Sequence, residues 1–157
     1  MSPTELESEL RKNLTGKVVI LCVGSRSRGD DIFGPLLAKR IAGKVAAEVI
    51  DAENVPENYL GKVAKLNPDV VLLVDAAHFG GQPGQLKLLA PQNLAESSFS
   101  THSASLKLIE DYFKAECNSQ VVMLAVQPKH VSFGVPPSPE LIAAVDLVGP
   151  MLIEILS

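Results

Sequence analysis

Asp31, Asp75 and His102 are the side chains of this sequence best suited to chemistry, because each lies where an apolar segment gives way to a polar one. The run VVILCVG (18–24) leads through SRSRGDD to Asp31, and the run DVVLLVD (69–75) ends on Asp75 itself. The polar segment FSTHS (99–103) places His102 at the entrance to a helix. In an open α/β sheet, ligands bind outside the carboxyl ends of the strands. Two carboxylates and an imidazole converging there would make a mixed oxygen and nitrogen donor set for a divalent metal.

Their neighbours carry weaker signals. Asp30 adjoins Asp31, so the two side chains point in different directions; Asp30 is expected to cap the helix opened by Gly34-Pro35. An acid that follows six residues dominated by valine and leucine, as Asp75 does, must be hydrogen-bonded, paired or liganded if it is buried. His78, three residues beyond Asp75, and His130, past the last strand, compete with His102 because both lie toward the same sheet edge. Arg26 and Arg28 would either greet an anion or stand solvated in their loop. Phe79, Phe99 and Phe133 are either core residues or the lining of a groove for a substrate tail. The stretch Gly24 to Gly29 lacks both the spacing of a dinucleotide fingerprint and the Gly-Lys-Ser/Thr of a P-loop. No GxSxG elbow and no HExxH motif is present, so a serine hydrolase or zincin mechanism has no support.

Positioning these residues requires alternating strands and helices. Ser2-Pro3-Thr4-Glu5 has the form of a capping box, followed by Leu6, Leu10 and Leu14 at helical spacing and a stop at Gly16. Strands are expected at 18–24, 45–51, 69–75, 85–90 and 121–127. Helices are expected from Gly34-Pro35 to Gly43, from Pro56 to Leu66, over 103–116, and from Ser138-Pro139 onward, with Pro150 kinking the last. Strands alternating with helices imply a three-layer helix–sheet–helix α/β fold with a five-stranded, mostly parallel sheet. The link from 75 to 85 is too short for a crossover helix, so the strand at 85–90 should run antiparallel, near an edge.

The bulk properties agree with such a fold. A chain of 157 residues, 46% apolar and 20% charged, reads as a single domain spanning 1–157. A net charge of −4 and a pI near 5.3 argue against nucleic acid as a partner, since phosphate binding needs a basic surface. No apolar run approaches the roughly 20 residues that span a bilayer, and MSPTELESELRKN has neither the basic start nor the apolar stretch of a signal peptide. Cys22 and Cys117 form no CxxC pair, as expected of a reduced, cytoplasmic setting.

The segments LCVGSRSRGDDIFGP, ENVPENY, LLVDAAHFGGQPGQL and STHSASL, in this order from about residue 18 to 135, together resemble the nickel–iron hydrogenase maturation endopeptidases. Within them the resemblance is to the branch that processes the large subunit of hydrogenase 3, the formate-hydrogenlyase type. The resemblance implies a protease that removes a C-terminal extension from the hydrogenase large-subunit precursor after nickel insertion. It implies that Asp31, Asp75 and His102 are the nickel-sensing and catalytic residues, and that the nickel arrives on the precursor. It also implies a monomer and a twisted five-stranded sheet with one antiparallel strand. Two other readings of the residues stand beside it: a non-catalytic module holding a metal or anion, and a metal-free hydrolase using Asp31 and Asp75 as an acid–base pair.

Overall fold

Apolar runs without alternation become strands covered on both faces, because every side chain must then be buried. A computed structural model of the chain describes residues 1–89 and 106–157. The five strands among the described residues are β1 (Val18–Cys22), β2 (Glu48–Asp51), β3 (Val70–Ala76), β4 (Leu86–Leu89) and β5 (Gln120–Val126). The sheet order is β2-β1-β3-β5-β4, which puts β3 at the centre. All neighbours are parallel except β4, which runs antiparallel to β5 at one edge.

The helices among the described residues are α1 (Pro3–Asn13), α2 (Phe33–Ile41), α3 (Leu60–Leu66), α4 (Leu106–Cys117) and α5 (Pro139–Ile155). One face of the sheet, with Ile20, Leu72 and Leu124, packs against Leu10, Leu37 and Val145 of α1, α2 and α5. The other face, with Leu21, Leu73 and Met123, packs against Val63 of α3 and Phe113 of α4. This is the three-layer arrangement expected from the alternation of elements. Each fully buried leucine or phenylalanine in these layers contributes roughly 1.5–3 kcal/mol of hydrophobic stabilisation.

The differences from expectation lie at element ends. The strand expected at 45–51 begins only at Glu48, since as an edge strand it has a single partner. A 3₁₀ turn, Gly29–Ile32, precedes α2, and another, Pro56–Tyr59, precedes α3. The last helix, α5, holds Pro150 inside its span Pro139–Ile155. The Ser2 capping box forms as the sequence suggests, with the Ser2 hydroxyl accepting from Glu5 N and the Glu5 carboxylate accepting from Ser2 N.

Candidate functional site

β3 delivers Asp75 to the carboxyl edge of the sheet. In the β3–β5 ladder it stands opposite Ala125, and it shares the alternation of Val71, Leu73 and Ala77, which face α3 and α4. Asp75 is 0% exposed, and its Oδ1 accepts from Ala76 N at 2.8 Å. Such burial of a carboxylate at a strand end makes a purely solvated role impossible and calls for partners.

Asp31 arrives from the adjoining β1–α2 connection. The end of β1 is held beside β3 by Val23 N donating to Val74 O at 2.8 Å. The chain then folds back so that Ser25 N donates to the Asp31 carbonyl at 3.0 Å and to its Oδ2 at 3.2 Å. Glycine is required at position 24, where a Cβ would collide with the Asp31 carbonyl. Asp31 is 2% exposed, and its 3₁₀ turn packs against β3. The structure therefore brings Asp31 and Asp75 to the same edge, both buried. His102 lies outside the described residues, as does Phe99. Among the described residues, no three His, Cys, Asp or Glu side chains form a group able to hold a metal ion.

Asp30 corrects the expectation of a cap on α2. Its carboxylate is wholly buried and accepts instead from Lys129 N at 2.8 Å, Ser138 N at 2.7 Å and Ser138 Oγ at 2.7 Å. Ser138 is the N-cap of α5, so Asp30 fastens the β5–α5 loop to the turn that carries Asp31. The two adjacent aspartates do point in different directions.

The competing histidines have other surroundings. His78 is exposed, with its Nδ1 3.3 Å from Gln127 Nε2. The His130 ring packs on Gly29, leaving its Nδ1 buried without a hydrogen bond. Arg26 pairs with Asp51 and, at 3.5 Å, with Glu53; the hydrogen bond that its guanidinium donates to Asp51 is the main cause raising its pKa above the ordinary value. That neutralises it as an anion receptor. Burial, reinforced by the negative charge of Asp51, pushes the Cys22 thiol far above the range in which a thiolate forms, so it is no nucleophile.

Gln127 was not singled out from the sequence. It is buried, and its Oε1 accepts from Phe79 N at 2.8 Å and Gly81 N at 3.2 Å, shaping the loop beyond Asp75. The signal that marks Asp75, a polar residue closing an apolar run, also marks Gln127 in VVMLAVQ.

Fold and site together define an α/β protein with two buried carboxylates at the carboxyl edge of a parallel sheet. The family model for HycI, hydrogenase maturation protease, matches residues 34–155, a span that begins just past Asp31. The hydrogenase 3 maturation protease of Escherichia coli K12 is 35% identical over 133 residues, covering 83% of this chain and 85% of that protein. A putative hydrogenase maturation protease of Methanocaldococcus jannaschii is 29% identical over 150 residues, 89% of this chain and 88% of that protein. The crystal structure of a [NiFe] hydrogenase maturation protease HycI from Thermococcus kodakarensis superposes with a TM-score of 0.85 at 31% identity, over 97% of this chain and 98% of that one. The chain belongs to the hydrogenase maturation protease family. It is a peptidase, which sets aside the non-catalytic binding module.

Proposed function

We propose that this peptidase removes the C-terminal extension of a nickel–iron hydrogenase large-subunit precursor once nickel is in place, and that Asp31, Asp75 and His102 recognise that nickel. The observation that carries the reading is Asp75, fully buried at the carboxyl end of the central strand with Asp31 in the turn beside it. The course of α4 supports the third member. Cys117, at its C-terminus, lies 3.0 Å from Ser119 Oγ, which donates to Pro68 O just ahead of β3. A helix packed on the sheet from that end has its start, Leu106, toward the Asp75 edge. His102 is four residues upstream of that start, within a chain reach of about 14 Å.

Two hard carboxylate oxygens and one imidazole suit a nickel ion that is already held by other ligands, and they leave positions for the precursor. The metal is thus part of the substrate, and it supplies Lewis acidity toward the scissile carbonyl or toward a water. Asp31 and Asp75 are pre-positioned by main-chain N–H groups, so neither needs to reorganise when the metal arrives. A groove of about 430 Å³ between α2 and β2, lined by Ile32, Pro35, Leu36 and Val49, opens next to the Asp31 turn and offers room for an extended tail. No helix among the described residues is long and apolar enough to cross a membrane. The proposed working form is a cytoplasmic monomer.

The test is cleavage of purified precursor, loaded or not loaded with nickel. Wild-type protein should cleave only the loaded form, and Asp75→Asn should abolish cleavage with the circular dichroism spectrum unchanged. Equal rates on nickel-free precursor would overturn nickel sensing, and full activity of the variant would remove Asp75 from the site.

A further inference from the structure

Phe133 is 75% exposed, although its loop is tied down by several main-chain hydrogen bonds. Ser132–Val135 form a turn closed by Val135 N donating to Ser132 O at 3.2 Å, with Gly134 at φ 80° as a type II turn requires at its third position. Main-chain bonds then lash this turn to the segment leading into Asp31. Gly134 N donates to Ser27 O at 2.8 Å, Gly29 N to Val135 O at 2.9 Å and Asp30 N to His130 O at 2.9 Å. The buried Asp30 carboxylate locks the base of the loop from below. Flexibility therefore does not account for the exposure of the ring, and the ring contributes little burial to the fold.

A rigidly held, solvent-facing aromatic is the form of a binding anchor, because little conformational entropy is lost when it is covered. Two other exposed large apolar side chains, Val55 beyond the end of β2 and Leu108 in the first turn of α4, stand at the same carboxyl edge. We infer that Phe133 is a recognition residue that inserts into an apolar pocket on the folded body of the precursor, setting the approach of the tail to Asp31 and Asp75. This rests on the peptidase reading above and adds to it a contact remote from the metal.

The experiment compares wild type, Phe133→Ala and Phe133→Leu on the same nickel-loaded precursor. Phe133→Ala should raise KM on the order of tenfold while leaving kcat and the melting temperature unchanged, and Phe133→Leu should recover most of the loss. In the inactive Asp75→Asn background, Phe133→Ala should weaken precursor binding by the same factor. Wild-type kinetics in Phe133→Ala would overturn the inference and leave the peptidase reading standing. Loss of self-association or of binding to phospholipid vesicles, with precursor binding intact, would also overturn it. Failure of the wild type to cleave would overturn both.

Discussion

Asp30 and Asp31 are neighbours in the chain with separate physical tasks. Asp31 is held by Ser25 N at the sheet edge, whereas Asp30 satisfies two main-chain N–H groups and a hydroxyl of the β5–α5 loop. Replacing Asp30 with Ala would strand those donors in a buried place, a cost of about 3 kcal/mol. The expected outcome is a melting temperature roughly 6 to 12 °C lower, read by circular dichroism. Asp31→Asn, which keeps the shape and the oxygen acceptor, should leave the melting temperature within about 2 °C of wild type on the same scale. A similar loss in both variants would refute the division of roles.

At the scale of elements, the site depends on how closely α2 meets the end of β1. Gly34, in the first turn of α2, lies against the main chain of Val23; a Cβ there would stand 2.7 Å from the Val23 nitrogen and closer still to its carbonyl oxygen. Main-chain atoms cannot yield as a flexible side chain can. Gly34→Ala should therefore cost about 3 kcal/mol by overpacking, measured as a lowered urea midpoint with unchanged slope. The Asp31 turn lies between these two elements, so cleavage should fall in the same variant even under conditions where it remains folded. Unaltered stability would mean that the two elements can separate without consequence.

For the whole molecule, the two apolar layers share one sheet whose central strand serves both. Breaking either layer uncovers one apolar face of β3 and so weakens the strand on which the other layer packs, and unfolding should be a single cooperative event. Near- and far-ultraviolet circular dichroism should then give coincident thermal transitions; separated transitions would argue for independently folding parts.

What can be read in the sequence alone is what depends on near neighbours. Apolar runs mark β1, β3 and β5 as strands, the short 75–85 link marks β4 as antiparallel, and the capping box marks the start of α1. The polar residue closing each apolar run located Asp75 at the strand end, since the register of a strand is local. The task of Asp30 could not be found this way, because its partners Lys129 and Ser138 are far along the chain and are recruited only when the β5–α5 loop folds over the first turn. The shortened β2 has the same origin: an edge strand extends only as far as its single partner pairs with it. The solvent-facing ring of Phe133 is likewise a tertiary decision, since an aromatic in a loop reads equally well as core until the chain around it has been tied down.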